Sequence, residues 1–461
     1  MQEHEDTIAA IATPMGLGGI GIVRMSGPKS REIVKKIFLP SRPCRDMVSH
    51  HLYLGQVKNP SSDQILDQVL LSIMEAPRSY TGEDVVEINS HSGYLLLSTI
   101  LQVLLEQGAR LAKPGEFTFR AFMNGRIDLT QAEAVIDLIG ARSEKGLSMA
   151  ASQVQGALRK EIEAVKRAAV VLLATLEAAI DFPEENETPY DIGGLADELS
   201  RKVTSPIFSL IESGIENRLS IDGVRTAIVG SSNAGKSSLF NKLLRQERAI
   251  VTPVPGTTRD VIESELIVEG IPLRLMDTAG IRKASDQVEK IGIEITCKTI
   301  DEADLILLVV DRSRPIKAED SEIINLCRGK RLLLVLNKTD LAPGLDEEEL
   351  AAALPGCLPI KISALTGEGI DNLKAAIARN LHASENDSIY ARLAPNLRHI
   401  KTMTKAAEAF ERAGELIRDK APAEIAAFEV KTGIDCLFRI TGEVLGEEVL
   451  DEIFSRFCIG K

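Results

Sequence analysis

The chain has 461 residues, of which 44% are hydrophobic and 26% charged, as is usual for a globular protein of about two to four domains. Its formal net charge of −13 at pH 7 argues against DNA binding or a general affinity for nucleic acid, although it leaves room for a local basic patch. The acidic start, the absence of an apolar run as long as a membrane span and six widely spaced cysteines predict a cytoplasmic, reduced protein without a membrane anchor.

Residues 1–118 alternate short apolar runs with turns and contain one helix-like stretch, which together predict a small α+β domain. The runs are "IGIVRMSG", "LDQVLLSIM" and "EDVVEINS", and the helix-like stretch is "YLLLSTILQVLLEQG". The segment "GLGGIG" (Gly16, Gly18, Gly21) formally matches a dinucleotide-binding fingerprint. A strand-like run follows it where the fingerprint requires a helix, so we expect a tight loop there instead.

Residues 119–220 are predicted to form the first part of a helical domain, because apolar residues recur at steps of three and four. The first series is Leu158, Ile162, Val165, Ala169, Leu172 and Leu176. The segment "DFPEENETPYDIGG" interrupts the helix with prolines and acids, after which the period restarts at Leu195, Leu199 and Val203.

Residues 221–380 change to apolar runs separated by amphipathic stretches, which predict a mostly parallel sheet covered on both faces. The runs are "VRTAIVG", "IPLRLMD", "DLILLVVD", "RLLLVLN" and "LPIKISA". Residues 381–461 are predicted to be helical again. We therefore expect a multidomain α/β and α protein in which an α/β domain is inserted into one helical domain.

A phosphate-binding motif opens the inserted domain. The segment "AIVGSSNAGKSS" contains G-x-x-x-x-G-K-[ST], formed by Gly230, Gly235, Lys236 and Ser237, between a strand-like and a helix-like run. In this motif the backbone N–H groups surround the phosphates, the lysine contacts the β and γ oxygens, and the hydroxyl ligates Mg²⁺. A glycine-rich turn is the alternative explanation, which the strand-to-helix context disfavours.

Three further motifs identify the nucleotide. In "NKTD" (Asn337, Lys338, Asp340), the carboxylate can accept hydrogen bonds from the guanine N1–H and 2-amino groups, which adenine does not offer. "SAL" (Ser363–Leu365) fits the loop behind the base, and "DTAG" (Asp277–Gly280) fits the Mg²⁺ and γ-phosphate side. A surface turn explains either NKTD or DTAG taken singly, whereas all motifs in this order predict a GTPase.

Two positions depart from a Ras-like site. The residue after "DTAG" is Ile281, whose apolar side chain cannot orient the attacking water as a glutamine does. Asn233, within the P-loop, has an amide carbonyl that could coordinate a monovalent cation beside the phosphates. An Asx turn that stabilises the loop is an equally good explanation of Asn233.

The sequence resembles the tRNA modification GTPase family MnmE, also called TrmE, over essentially its whole length. The similarity rests on "GSSNAGKSS", "TPVPGTTRD", "DTAGIRKASDQVEKIGIE", the inserted layout and the terminal "FCIGK". The resemblance implies a homodimeric, potassium-activated GTPase whose G domains dimerise across the nucleotide. It implies domains at residues 1–118 (dimerisation and tetrahydrofolate binding), 119–220 and 381–461 (helical) and 221–380 (G domain).

The resemblance also implies the residues of the nucleotide site. Those that contact GTP would be Asn233, Ala234, Gly235, Lys236, Ser237, Ser238, Thr252, Pro253, Val254, Pro255, Gly256, Thr257, Thr258, Asp277, Thr278, Ala279, Gly280, Asn337, Lys338, Asp340, Ser363 and Ala364. Mg²⁺ would be held by Ser237 and Thr258, and K⁺ by Asn233, Thr252, Val254 and Thr257. Glu289 would position the attacking water in place of the missing glutamine, although from its sequence context alone it is a solvated helix residue.

For the N-terminal domain, the resemblance implies a binding site for a 5-formyl-tetrahydrofolate-like one-carbon donor. Arg24, Glu87, Arg126 and Lys461 fall on the folate-contacting positions. Arg126 stands where the family commonly has lysine, which alters reach and donor geometry. Without the family, ordinary surface ion pairs explain Arg24, Glu87 and Arg126 as well.

The function implied is GTP hydrolysis coupled to aminomethyl or carboxymethylaminomethyl addition at C5 of the wobble uridine of tRNA. The partner would be the flavin-dependent protein MnmG, in a heterotetramer, and K⁺-dependent closure of the G domains would act as the switch. The alternative is a ribosome-assembly or regulatory GTPase without RNA chemistry, which needs neither the folate positions nor the terminal cysteine. A structural protein with a vestigial nucleotide site conflicts with the intact Lys236, Ser237 and Asp277.

Two assignments remain open from the sequence. Cys458 is expected to matter for tRNA modification, either as a nucleophile towards the uridine or without forming a covalent bond. The segment that carries it is expected to be docked by a helix face formed by Val449, Leu450, Ile453, Phe454 and Phe457. The basic residues Arg392, Arg398, His399, Lys401 and Lys405 form either a tRNA-binding patch or a solvated helix face.

Overall fold

The computed structural model describes residues 6–14, 16, 18–43, 46–181, 192–246, 263–276, 297–381 and 393–461. These residues form two compact units. The first comprises Met1–Ile136, Gln153–Ile207 and Lys401–Lys461, and the second comprises Asp137–Ser152 and Phe208–Ile400. The domain boundaries expected near residues 118, 220 and 380 stay predictions.

The N-terminal part of the first unit is a seven-stranded sheet. Its strands are β1 (Ile8–Ile11), β2 (Ile20–Ser26), β3 (Phe38–Pro40), β4 (Leu52–Lys58), β5 (Ile65–Met74), β6 (Val85–His91) and β7 (Arg110–Leu111). The spatial order is β3-β4-β5-β6-β2-β1-β7, and all pairs are antiparallel except β1 with β7. Such a sheet suits the alternating pattern, because one face is buried and the other is partly open.

Three helices accompany this sheet: α1 (Ser30–Ile37), α2 (Tyr94–Glu106) and α3 (Glu116–Met123). Helices α1 and α2 bury their apolar residues against one face of the sheet, in a core that includes Ile33, Leu97 and Ile88. Gly21 lies within β2, where a Cβ atom would be 2.6 Å from Leu97 Cδ1 of α2. The "GLGGIG" segment therefore leads into a strand rather than a helix, and its last glycine allows close helix–sheet packing.

The helical part of the chain contains α4 (Leu129–Gly140), α5 (Glu144–Val154), α6 (Ala157–Asp181), α7 (Ile192–Leu199), a π-helical turn (Ser200–Thr204), α8 (Ser205–Asp222), α13 (Leu397–Arg418), α14 (Ala423–Thr441) and α15 (Glu447–Ser455). All six apolar residues of the predicted first series are buried on α6, which confirms the helical period. Lys166 is buried on the same helix, where its Nζ donates to Glu443 Oε1 at 2.6 Å and lies over the Phe438 ring of α14.

The second unit contains a six-stranded sheet of order β13-β12-β11-β8-β10-β9. Its strands are β8 (Val224–Val229), β9 (Glu263–Val268), β10 (Ile271–Met276), β11 (Leu305–Asp311), β12 (Leu332–Asn337) and β13 (Ile360–Lys361). Every pair is parallel except β9 with β10, which form an antiparallel pair at the edge. The five predicted apolar runs are thus confirmed as strands, and β9 is an addition.

The helices that cover this sheet include α9 (Lys236–Gln246), α10 (Ala318–Leu326), α11 (Glu347–Ala353) and α12 (Ile370–Leu381). Helices α9 and α12 contribute to the core on one face, and α10 and α11 to the core on the other. Strand β11 is buried along its whole length because helices lie over both faces. The predicted fold class, an α+β domain, helices and a P-loop α/β domain with a mostly parallel sheet, is confirmed.

Candidate functional site

The P-loop connects β8 to α9, which is the context that a phosphate-binding loop requires. Gly230 and Gly235 have φ angles of 151° and 99°, which favour glycine. A Cβ atom on Gly230 would lie 2.2 Å from the Val309 carbonyl oxygen, and one on Gly235 would lie 2.0 Å from Asn337 Nδ2. Both glycines are therefore needed for the loop to lie against β11 and the end of β12.

The side chain of Lys236 bonds back to the start of the P-loop. Its Nζ donates to the carbonyl oxygens of Gly230 and Ser231, each at 2.7 Å. The hydroxyl-bearing residues Ser237 and Ser238 follow at the exposed start of α9. This arrangement places a cation and two hydroxyl-bearing residues at the mouth of the loop, as phosphate and Mg²⁺ binding require.

Asn233 has a φ angle of 60° and an exposed side chain. Asparagine tolerates this left-handed conformation better than most residues. The exposed amide fits the predicted potassium ligand, while the Asx-turn alternative stays open.

The "NKTD" motif connects three elements of the second unit. Asn337 is buried at the end of β12, where its Nδ2 donates to the Ala234 carbonyl at 2.8 Å and its Oδ1 accepts from the Ala364 N–H at 2.9 Å. Asp340 accepts a hydrogen bond from the Ser363 hydroxyl at 2.5 Å. The predicted residues on both sides of the base are thus brought together with the P-loop.

Lys338 has a φ angle of 67° and donates through Nζ to Asp311 Oδ2 at 2.6 Å. Burial raises the pKa of Asp311, but hydrogen bonds from Lys338 and Ser313 outweigh it and leave that pKa below its ordinary value. An ionised Asp311 therefore holds the lysine of the motif in place at neutral pH.

Arg24 and Glu87 face each other on neighbouring strands of the first unit. They are paired in the register of β2 and β6, and Arg24 Nε donates to Glu87 Oε1 at 2.8 Å. The guanidinium carbon of Arg24 lies 5.9 Å from the centre of the Tyr80 ring and 5.7 Å from that of Phe117. Arg24 Nη1 also donates to the carbonyl oxygen of Gly460 at 3.3 Å, which joins the C-terminal segment to this pair.

The segment Phe457–Lys461 is docked on α3 and β1. The N–H groups of Gly115 and Phe117 donate to the carbonyls of Cys458 and Lys461 at 3.4 and 3.2 Å. Because the first N–H groups of a helix lack partners within it, the segment satisfies groups that α3 itself leaves open.

The chain matches two family models. Residues 129–458 match the MnmE helical domain, and residues 7–126 match the N-terminus of the GTP-binding protein TrmE. The tRNA modification GTPase MnmE of Acetivibrio thermocellus is 42% identical over 460 residues, which cover 99% of each chain. The chain belongs to the tRNA modification GTPase MnmE family. As a member of this family, it is a GTP hydrolase.

Other relatives agree with this assignment. The tRNA modification GTPase MnmE of Carboxydothermus hydrogenoformans is 44% identical over 464 residues, which cover 99% of this chain and 100% of the relative. Among solved structures, the G domain of T. maritima FeoB is 29% identical and covers 34% of this chain and 98% of that chain. Its TM-score is 0.27, which is too low to support a conclusion.

Several residues that the sequence singles out lie outside the described residues. They are Thr252, Pro253, Val254, Pro255, Gly256, Thr257, Thr258, Asp277, Thr278, Ala279, Gly280, Ile281 and Glu289 of the nucleotide site, and Arg392 of the basic cluster. Their roles stay predictions.

The other two predicted folate-contacting residues, Arg126 and Lys461, are less closely connected to the Arg24–Glu87 pair. Arg126 is exposed and lies beside the loop that carries Tyr80, since a Cβ atom on Gly82 would be 3.3 Å from Arg126 Cγ. Lys461 is half-buried, and its carbonyl oxygen accepts from Phe117. Cys458 is exposed, which is compatible with the role predicted for its thiol.

Two expectations need correction. Val449 was expected on the buried face of the last helix, but it is 40% exposed, because α15 buries only its later residues Ile453 and Phe454. His399 was expected in a basic surface cluster, but it is only 1% exposed. At the start of α13, its backbone N–H donates to Asn396 Oδ1, and its Nδ1 accepts from the Asn396 N–H. This histidine therefore stabilises the helix end and does not present its ring to RNA.

The sequence gives no sign of the contacts between the P-loop and the segment after β11. Arg314 Nη2 donates to Ser231 Oγ at 2.7 Å, and Glu319 Oε1 accepts from the Ser232 N–H at 2.9 Å. The acids Glu319 and Asp320 in the first turn of α10 are a signal of a helix start. They gave no signal of contact with the P-loop, because that contact depends on β8 and β11 being neighbours.

Among the residues described, no helix has the length and apolar character needed to cross a membrane.

Proposed function

We propose that this chain is a potassium-activated GTPase that modifies C5 of the wobble uridine of certain tRNAs together with the flavoprotein MnmG. The added group is aminomethyl or carboxymethylaminomethyl, and its one-carbon unit comes from a 5-formyl-tetrahydrofolate-like donor. The acting species is a homodimer that forms a heterotetramer with MnmG in the cytoplasm. Membership of the MnmE family and the names of its relatives support the tRNA part of this proposal.

In the nucleotide site, Lys236 contacts the β and γ phosphates, while Asn337 and Asp340 select guanine. Ser237 and Thr258 would hold Mg²⁺, which supplies charge neutralisation on the phosphate oxygens when it is bound. The exposed position of Ser237 at the start of α9 fits this role. The exposed amide of Asn233 fits a K⁺ ligand, and Glu289 is the residue proposed to position the attacking water.

The observation that carries the folate part is the connection of Arg24 to both Glu87 and Gly460. The pair offers a donor and an acceptor side by side, and the Tyr80 and Phe117 rings lie on the same guanidinium group. The pyrimidine ring of a reduced pterin is flat and carries adjacent donors and acceptors, which match such a site. Its acidic tail would suit the cationic side chains of Arg126 and Lys461.

A binding titration with 5-formyl-tetrahydrofolate tests the proposal. The intact chain should bind this folate, and Glu87→Ala should weaken binding by about tenfold or more, because a hydrogen-bonding carboxylate is lost. Glu75→Ala is the matched control, since Glu75 pairs with Arg31 on the exposed surface of the same domain. Absence of any affinity in the intact chain would favour a GTPase that acts as an assembly or regulatory switch.

Potassium dependence is tested separately by GTP hydrolysis in KCl and NaCl at equal ionic strength. Hydrolysis should be at least about tenfold faster in KCl, and Asn233→Ala should remove most of the difference. Equal rates in the two salts would refute the cation role without affecting the folate proposal. Fully modified wobble uridines in a strain that lacks the chain would refute the tRNA role.

A further inference from the structure

The first half of the P-loop is contacted by the segment that follows β11. Ser231 is only 1% exposed, and its hydroxyl accepts a hydrogen bond from Arg314 Nη2 at 2.7 Å. The neighbouring Ser232 donates its N–H and its hydroxyl to Glu319 Oε1, at 2.9 and 3.2 Å. Two consecutive P-loop residues are therefore bonded to one segment, Arg314–Asp320.

The guanidinium group of Arg314 is itself held by Asp320. Arg314 Nη1 donates to Asp320 Oδ2 at 2.8 Å, and Nη2 lies 3.3 Å from Oδ1, so the two side chains form a two-pronged pair. The Asp320 side chain is 2% exposed and also accepts from the Lys317 N–H at 3.0 Å. Burial raises the pKa of Asp320, but hydrogen bonds from Arg314 and Ser231 outweigh it, so the carboxylate is ionised at neutral pH.

The second half of the loop has a different anchor. Asn337 bonds to the Ala234 carbonyl, and Ala234 is itself buried in the core of the second unit. The first half begins at Gly230, which lies against the Val309 carbonyl of β11, and Lys236 bonds to the Gly230 and Ser231 carbonyls from within the loop. The fixed fork of Arg314 supplies a restraint from outside the loop at this point.

We propose that Arg314, oriented by Asp320, is a positioning residue that fixes the first half of the P-loop for nucleotide binding. It acts through Ser231 and does not touch the phosphates. A loop that is already ordered before GTP binds loses less conformational entropy on binding, so the contact raises nucleotide affinity. The proposal uses only the GTPase activity and is independent of the folate, tRNA and potassium proposals.

The proposal predicts a specific pattern of variants. Arg314→Met and Ser231→Ala should each raise the Kd for GTP and GDP by about tenfold, which corresponds to about 1.4 kcal/mol. Arg314→Lys should not restore affinity, because an ammonium group cannot bond to Asp320 and Ser231 with the same planar fork. The double variant should bind no more weakly than the weaker single variant, because Arg314 acts on the loop only through the contact that Ser231→Ala already removes.

The experiment titrates the full chain with fluorescent GDP and GTP analogues and measures GTP hydrolysis and thermal unfolding in parallel. Arg312→Met is the matched control, since Arg312 directly follows β11, two residues before Arg314, but its Nε is directed to Glu347 at 3.4 Å. We expect Arg312→Met to bind within about twofold of the parent, and Ser231→Ala to raise KM with little change in kcat or unfolding temperature. Should Arg314→Met fail to fold, Ser231→Ala carries the test, because it removes only a hydroxyl. Unchanged Kd in Ser231→Ala, equal losses in the Arg312 and Arg314 variants, or losses that multiply in the double variant would each overturn the proposal.

Discussion

Replacing Gly460 by alanine should release the C-terminal segment Phe457–Lys461 from α3 and β1. Gly460 has a φ angle of 93°, and a Cβ atom added there would lie 2.4 Å from the Ile11 carbonyl oxygen of β1. A backbone carbonyl inside a sheet cannot move aside as a flexible side chain can. The segment must therefore leave its position to accommodate the methyl group.

The size of the effect follows from the contacts of this segment. The three hydrogen bonds that hold it come from Gly115, Phe117 and Arg24, at 3.2 to 3.4 Å. At about 0.5–1.5 kcal/mol each, they contribute at most about 1.5–4.5 kcal/mol to docking. The left-handed conformation alone costs alanine about 1–2 kcal/mol, so the docking equilibrium should fall by about 5- to 30-fold before the steric contact is counted.

Hydrogen exchange of the Gly115 and Phe117 amides measures this equilibrium directly, because both donate to the segment. Exchange should be at least about fivefold faster in Gly460→Ala, with folate affinity reduced as well, while global unfolding changes little. Gly446→Ala is the matched control, since Gly446 has a φ angle of −74° and no atom within 4 Å of an added Cβ. Parent-like exchange in Gly460→Ala, or equal acceleration in both variants, would refute the reasoning.

Three further predictions concern the base, acid stability and the thiol. Asp340→Asn should lower GTP affinity by about 100-fold and favour xanthosine triphosphate in competition titrations, since an amide N–H₂ then faces guanine N1–H; an unchanged preference would contradict the base assignment. Burial raises the pKa of Glu116, but hydrogen bonds from Arg110 outweigh it and leave the pKa below its ordinary value of 4.5. Its contribution to stability is therefore complete above pH 4.5 and is lost as the pH falls through the lower folded pKa. Urea unfolding across this range should show a smaller loss in Glu116→Gln than in the parent, and identical curves would exclude the role. Cys458→Ser should keep GTP hydrolysis within about twofold while tRNA modification fails; loss of both would show that the cysteine is structural.

Local patterns predicted most elements of the fold because burial follows them directly. The series from Leu158 to Leu176 identified one face of α6, and the apolar run of β11 identified a strand covered on both sides. Strand β9 was missed because "ESELIV" lies at the edge of the sheet and begins with two acids around a serine. Val449 was assigned wrongly because helical spacing alone does not reveal how far along α15 the covering surface extends.

The residues of the candidate sites also differ in whether a local sequence pattern could predict them. The P-loop and "NKTD" could be found because their chemistry depends on short spacings within one loop. The contact of Arg314 with Ser231 joins positions 83 residues apart, and no local pattern of either segment indicates the other. Such contacts follow from the strand order, which sequence spacing does not determine.

The hydrogen bond from Arg24 to Gly460 joins positions 436 residues apart. During synthesis, the strand that carries Arg24 leaves the ribosome long before the residue that completes its surroundings. The N-terminal sheet can therefore fold early, but the arrangement around Arg24 can form only after Gly460 has been made. A chain shortened by only a few residues at this end would retain its sheet, its P-loop and its base motif and still lack that arrangement. Arg24 thus makes the proposed folate site depend on a residue from the other end of the domain order, Gly460.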